Sequence, residues 1–437
     1  MNPITTPARA RLGAQSSFAV AAGVIGLALF ASATPSPLYG LYQERWHFST
    51  PVLTLVFAVY NFGVLAALLL VGRISDDVGR RPVLGASLAG LFGAGLLFAL
   101  ARSVGWLFAA RALQGLTTGA ALGAAGAAML DLHPRGDAAR TGLINGVVSA
   151  GGIAVGALVA SVLVQYAPDP LVTPFIVLLA LVALMLVLTL ALPEPVIERA
   201  RPRLRPQRPR VPADSRRAFT LAALAVLSSW SIAGLYLALG PNLLGQLMHT
   251  TNRLAGGAGV LALTLPAAIS QIVWQRLEPR RAAALGSMVL SGGMALTAAS
   301  LSAGSAALFL GASAITGAGF GVVFLGALRS LAQAVPDRQR AEVMSAFYVV
   351  AYFSIAVPAV AAGLAAPSLG IEPTFRIFSG IVAVLALGLG VTTARGGRRE
   401  RVSAGRSGSG GRARCLPPSP TLARAAEVPA EVPRPRS

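Results

Sequence analysis

The sequence contains no lysine: all thirty-six of its basic residues are arginine, set against sixteen acids. A single cysteine, Cys415, excludes an internal disulfide and leaves the redox compartment unread. Charged residues are scarce at 12% and aromatic residues at 6%. With 55% hydrophobic residues and a mean hydropathy of +0.69, this excludes an ordinary soluble domain, and the class is polytopic membrane protein. The three histidines, His47, His133 and His249, stand at run ends or in loops. No cluster with metal-ligand spacing and no carboxylate pair falls inside an apolar stretch, so an intramembrane enzyme lacks its parts; neither enzyme activity nor a cofactor is expected.

What is abundant is uncharged length. A bilayer core about 30 Å thick needs about 20 apolar residues as a helix, because hydrocarbon offers no partner to a free backbone N–H or C=O. Uncharged runs extend from Phe18 to Gln43, Pro51 to Gly72, Pro82 to Ala101, Thr141 to Pro168, Pro170 to Pro193, Ala218 to Thr251, Leu254 to Gln275, Val343 to Ile371 and Ile377 to Ala394. Each predicts one helix. A further run, Ser103 to Leu130, is interrupted only by Arg111, and Ala282 to Leu328 divides at "SAGSA" into two spans. The expectation is an all-α membrane protein with twelve transmembrane helices. Arg9, Arg11 and "ASA" at Ala31 to Ala33 imitate a cleavable leader, but the apolar run continues past that site and its removal would leave an odd number of spans.

A formal net charge of +20 would suit nucleic acid, so the placement of the arginines decides. Thirty-one lie before the first span, after the even-numbered spans or in the tail; Arg45, Arg102, Arg253 and Arg376 lie in the alternate loops, and Arg111 lies within a span. This is the positive-inside asymmetry, which places both termini in the cytoplasm and removes any need for nucleic acid.

Five segments follow: a cytoplasmic N-terminal stretch 1–17, a six-helix bundle 18–192, a basic linker 193–217, a second six-helix bundle 218–394 and a basic cytoplasmic tail 395–437. Linker and tail hold too few apolar residues to fold and are expected to be disordered. Each arginine near an anionic inner leaflet adds about 1 kcal/mol of attraction, so the lipid surface is their expected partner. The two bundles share a repeat. "GIAVGALVA" at Gly152 to Ala160 returns as "SIAVPAVAA" at Ser354 to Ala362, and the same offset sets Gly115 and Gly119 on Gly317 and Gly321.

Between the second and third runs stands "GRISDDVGRRPV", Gly72 to Val83. A glycine at 72 lets two helices approach, Gly79 permits a positive φ, and the arginines hold the turn in the cytoplasm. Twelve spans in two halves together with this turn resemble the major facilitator superfamily of secondary transporters. Gly72, Asp76, Gly79, Arg80 and Arg81 match that family's motif, while Asp77 occupies the place of its usual cation. The resemblance covers Phe18 to Ala394. It implies gating roles for Gly72, Asp76, Gly79, Arg80, Arg81 and Asp131: Asp76 against the start of the eleventh span near Glu342, and Arg80 paired with Asp131. It further implies a monomeric secondary active transporter of the cytoplasmic membrane that moves a small solute by alternating access, with proton coupling and efflux among the modes the family uses. A sensor or scaffold of the same fold is the alternative, because fold alone proves no activity.

Arg111 and Gln114, three apart in "RALQG", share a helix face, and an intramembrane cation is expected to serve function. The family places an arginine there in proton-coupled members. Of its antiporter signature in the fifth span only Gly152 and Gly156 match; Ala157, Ala160 and Ser161 replace the rest, which weakens drug–proton antiport. Substrate is expected near the midplane between the halves. Candidate contacts there are Tyr60, Asn61, Arg111, Gln114, Thr118, Asn145, Ser149, Ser229, Trp230, Tyr236, Tyr352 and Ser354. No carboxylate stands in the middle of a span, which favours a neutral or anionic substrate and routes any proton coupling through Arg111 with rim acids or through the substrate itself.

Overall fold

Long apolar stretches without alternation can satisfy their backbone only as helices, and helices account for all the regular structure of the described residues. The computed structural model describes residues 12–70, 74–196 and 209–409. In chain order the helices are α1 (Ala14–Ala33), α2 (Tyr39–Trp46), α3 (Thr50–Leu70), α4 (Ile74–Val78), α5 (Arg80–Ala99), α6 (Val104–Asp131), α7 (Ala138–Tyr166) and α8 (Thr173–Leu190). After the linker come α9 (Arg216–Ala238), α10 (Gly240–Leu247), α11 (Leu254–Val273), α12 (Pro279–Ser302), α13 (Ala306–Ala334), α14 (Asp337–Leu369) and α15 (Ile371–Ser409). Among the described residues, eleven helical segments are long and apolar enough to cross a membrane. Of the twelve expected, α6 falls outside that group: its 28 residues suffice in length, but its glycines and threonines with Gln114 and Arg111 dilute its hydropathy.

Two runs that predict one helix are broken. The first ends at Ala33 and passes through a 3₁₀ turn, Ser36–Leu38, into α2. Pro35 and Pro37 cause the break, since neither has an N–H to continue the ladder. The seventh divides between α9 and α10 at Gly240 and Pro241. Both short helices end in a left-handed histidine, His47 with φ 50° and His249 with φ 47°. Two helix starts carry a cap from their own N-cap side chain: the Asp137 carboxylate accepts the Arg140 N–H at 2.9 Å at the start of α7, and Ser305 accepts the Leu308 N–H at 3.3 Å at the start of α13.

Neighbour relations recur along the chain. Helix α6 packs on α1, α3 and α5, as α13 packs on α9, α11 and α12; α1 lies on α7 as α9 lies on α14. Two further seams are reciprocal, α7 against α11 and α14 against α3. Glycines set the closest contacts. A Cβ on Gly115 would lie 2.3 Å from the Tyr60 carbonyl oxygen, and one on Gly119 would lie 2.5 Å from that of Val64. Gly317 and Gly321 meet the carbonyls of Leu263 and Ala267 in the same manner, at 2.0 and 2.2 Å. The described residues up to 395 form one compact unit, and those from 396 to 409 belong to another. The described stretch 396–409 is helical, and the rest of the tail, 410–437, lies outside the described residues.

Candidate functional site

Arg111 projects from α6 into the space that the broken end of α1 leaves. Pro35 has no N–H for the Ala31 carbonyl, which leaves that acceptor for a side chain. Gln114 Nε2 donates to Ala31 O at 2.8 Å, and Arg111 Nη1 donates to Ser32 O at 3.0 Å. Arg111 Nη1 also reaches Gln114 Oε1 at 2.7 Å, and Nε reaches the Tyr39 hydroxyl at 2.9 Å, with Nη2 on the same oxygen. The guanidinium carbon lies 5.4, 5.3 and 5.7 Å from the ring centres of Tyr39, Tyr60 and Phe98. Arg111 is 0% exposed, so it does not snorkel; its charge is held by carbonyls, an amide, a phenol and aromatic faces. Burying a cation costs roughly 2.5–3.5 kcal/mol on insertion scales, and charge-assisted hydrogen bonds of about 1.5–3 kcal/mol each are enough to offset it.

Tyr60 connects this cage to the α3–α14 seam. It shares an apolar cluster with Val64, Leu65 and Tyr352, with Trp230 and Tyr348 packed alongside. The Trp230 ring stands edge-on to Tyr352 at 5.6 Å and tilted on Phe324 at 5.4 Å, and its buried indole N–H has no hydrogen-bond acceptor among the described residues. The structure therefore brings Tyr60, Trp230 and Tyr352 together, with Arg111 and Gln114 behind Tyr60. Asn61 spends its amide on its own helix, donating to Phe57 O at 3.0 Å, and Ser354 and Ser229 likewise bond back to carbonyls one turn earlier. Asn145 and Ser149 lie partly exposed on the first half of α7.

Tyr236 does not join them. Six residues beyond Trp230, it is rotated by about 240° around α9. It is buried against Phe309 and Phe375, with its hydroxyl 2.7 Å from Ser313 Oγ. Ser313 occupies in α13 the place of Arg111 in α6 at the repeat offset, so a neutral hydroxyl stands where the first half buries a charge.

At the far end of α3 lies the charged turn. Gly72 falls outside the described residues. Gly79 has φ 112°, as a glycine at that place predicts, and a Cβ there would stand 2.7 Å from Glu194 Oε2. The reason is a cap: the Glu194 carboxylate, just past α8, accepts the backbone N–H of Arg80 at 2.8 Å and of Arg81 at 2.9 Å, satisfying the first turn of α5. Arg80 Nε donates to Asp131 Oδ2 at 3.0 Å, and Nη1 donates to Ser75 Oγ at 2.7 Å and to Asp76. Asp76 thus has Arg80 as its partner here, with its side chain 55% exposed, where the resemblance implied the start of α14. The side chains of Asp337, Arg338, Arg340 and Ala341 in that first turn lie outside the described residues.

Sequence reasoning misses four participants. Tyr39 was hidden in the first apolar run. Glu194 was assigned to the linker, although an acid directly after a span end is suited to capping a neighbouring helix. Glu44 and Arg253, treated as loop charges, form an ion pair at the end of the molecule opposite Arg80, with Arg253 Nη2 2.8 and 2.9 Å from the two carboxylate oxygens.

This arrangement has relatives. In overall structure the chain is similar to the human organic anion transporter MFSD10, at 19% identity and a TM-score of 0.61, over 87% of this chain and 100% of that one. It is similar too to a POT family transporter in complex with 5-aminolevulinic acid, at 14% identity and a TM-score of 0.68, over 86% and 96%. At these identities the likeness is one of fold. The puromycin resistance protein pur8 of Streptomyces alboniger is 38% identical over 112 residues, which is 25% of this chain and 22% of that protein. The match thus spans under a quarter of that relative. The sequence pattern of the Major Facilitator Superfamily matches residues 21–274, from within α1 to just past α11, and with the charged turn and glycine-packed helix pairs inside that span, the chain belongs to the Major Facilitator Superfamily.

Proposed function

We propose that the chain is a secondary transporter that moves a small solute across the cytoplasmic membrane by alternating access. In this reading twelve transmembrane helices form two six-helix bundles, 18–192 and 218–394, with both termini in the cytoplasm and the basic linker and tail against an anionic inner leaflet. The protein works as a monomer. The observation that carries the reading is the aromatic group Tyr60, Trp230 and Tyr352, contributed from both sides of the α3–α14 seam, with an unpartnered Trp230 N–H within it. Two halves that rock against each other would expose such a seam first to one side and then to the other.

The substrate is neutral or anionic, or a cation held by aromatic faces, because no carboxylate of the described residues lies in the middle of a span. Arg111 touches no acid among the described residues, so any proton coupling runs through Arg111 with rim acids or through the substrate itself. The relative named for puromycin resistance makes puromycin the first probe and export the first direction to test. Purified protein in sealed vesicles should move labelled puromycin faster than empty vesicles, and Trp230→Ala should remove the difference. Absence of flux across a panel that includes organic anions and short peptides would overturn the transport reading in favour of a sensor of the same fold.

A further inference from the structure

We infer that His133 is a proton-sensing residue: its neutral ring holds the connection between α6 and α7 in place, and protonation on Nδ1 releases it. The inference goes beyond the proposed transport function and does not depend on it. The connection begins as a turn of His133, Pro134, Arg135 and Gly136, with proline at the second place and glycine at the fourth. Gly136 N–H donates to His133 O at 3.1 Å, and Gly136 takes φ 63°, which suits glycine. The turn folds the chain back over the ring. Arg135 N–H and Asp137 N–H both reach His133 Nδ1, at 3.1 and 3.2 Å. Three successive amides thus end on one residue, two on its ring and one on its carbonyl. From α1, the Phe18 ring stands perpendicular to the imidazole, with 5.0 Å between centres.

An imidazole nitrogen accepts only through a lone pair, so these two bonds require that Nδ1 carry no hydrogen and that the ring's proton sit on Nε2. A second proton goes to Nδ1, and the ring then turns a donor toward two donors. Both contacts must break. His133 is half-buried, so solvent protons reach it. The charges around it favour the protonated ring: Asp131 closes α6, Asp137 precedes α7, and the C-terminal end of α6 carries partial negative charge. The cations nearby are Arg135, Arg140 in the first turn of α7, and Arg80, which reaches Asp131 from α5 and also engages Asp76 and Glu194; α1 carries no charged residue. Amides hold the neutral ring and acids attract the charged one, which gives the connection two arrangements separated by one proton. The contacts that need the neutral ring are complete at high pH and are lost as pH falls. The start of α7 depends on them, because Asp137 caps that helix by accepting the Arg140 N–H while its own N–H is held by the ring. A charged His133 is also a second cation beside Asp131, in competition with Arg80.

The test uses the purified full chain and reads amide hydrogen exchange residue by residue over 132–140, corrected for the intrinsic rate at each pH. Between about pH 8 and about pH 5.5, the interval in which imidazole gains its charge, protection of the Arg135 and Asp137 amides should fall about fivefold. Gly136, bonded to a carbonyl, should change less. His133→Asn sets an amide oxygen near the place of Nδ1 and does not titrate, so its protection should match wild type at the higher pH and stay there at the lower. His133→Ala should show the low value at both. Unchanged protection in wild type, an equal fall in His133→Asn, or full protection in His133→Ala overturns the inference. A second arm places isotope-labelled histidine in the chain, which has three, and His133→Asn identifies the signal of interest. Hydrogen on Nε2 is expected at the higher pH, whereas hydrogen on Nδ1 overturns the inference. Neither arm needs a transported solute, so failure of the transport reading leaves both decisive.

Discussion

Arg111 carries its charge in the interior with no carboxylate in contact among the described residues, and this makes Tyr39 its most consequential neighbour. Tyr39→Phe keeps the ring and removes the oxygen that two guanidinium N–H groups share. Arg111→Lys keeps the charge but offers donors from one atom, which cannot serve Tyr39, Ser32 O and Gln114 in their separate directions. Each substitution should cost about 1–3 kcal/mol, and the double mutant should cost less than the sum by about 0.5–3 kcal/mol, since both break one network. Thermal unfolding of the purified variants measures this, and strict additivity would show that the two side chains act independently. Sequence spacing alone put Arg111 and Gln114 on one face. It could not supply Tyr39, because a contact across 72 residues leaves no trace in local periodicity, nor could it separate Tyr236 from the midplane residues it resembles in type.

At the scale of elements, helix existence was written in uncharged length, and helix interruption was not. Pro35, Pro37 and Pro241 break or bound their helices, yet Pro266 lies inside α11, and Pro358 and Pro367 lie inside α14. At the end of α1, Arg111 and Gln114 collect the carbonyls of Ser32 and Ala31, and such partners are a property of packing that the local sequence does not show. Glycines divide in the same way. Gly115 and Gly317 sit under carbonyl oxygens at 2.3 and 2.0 Å, whereas Gly126 and Gly292 have nothing within 4 Å of a built Cβ. Gly115→Ala and Gly317→Ala should each destabilise by about 1–3 kcal/mol by pushing α3 from α6 and α11 from α13. Gly126→Ala and Gly292→Ala should be neutral or stabilise by up to about 1 kcal/mol, through the helix propensity of alanine. A melting-temperature series of the four settles it, and equal effects in both pairs would show that the recurring contacts are not what holds the helices together.

For the whole molecule, the two ends must be linked if the halves move as bodies. Glu44, Gln43, Asn242, Arg253 and Gln165 close one end across the halves, while Asp76, Arg80, Asp131 and Glu194 all lie within α4 to the residues just past α8 at the other. In the proposed cycle a conformer open at the Glu44–Arg253 end is closed at the opposite end, so the two populations compete for one total. Removing these contacts one after another, first Gln43→Ala, which breaks its bond with Asn242, and then Arg253→Glu, should raise outer labelling stepwise, read from the buried Ser161→Cys on α7 in the Cys415→Ser chain. Each step of about 1 kcal/mol multiplies the ratio roughly fivefold, so early steps shift a minor species and leave the major one almost unchanged. Only near parity should labelling at the other end, read from Ser330→Cys on α13 in the Cys415→Ser chain, begin to fall. That lag followed by decline is the signature of two exclusive states. Outer labelling that saturates while Ser330→Cys keeps its rate would mean that α2 opens alone, as a local motion, and that the halves do not rock about the seam.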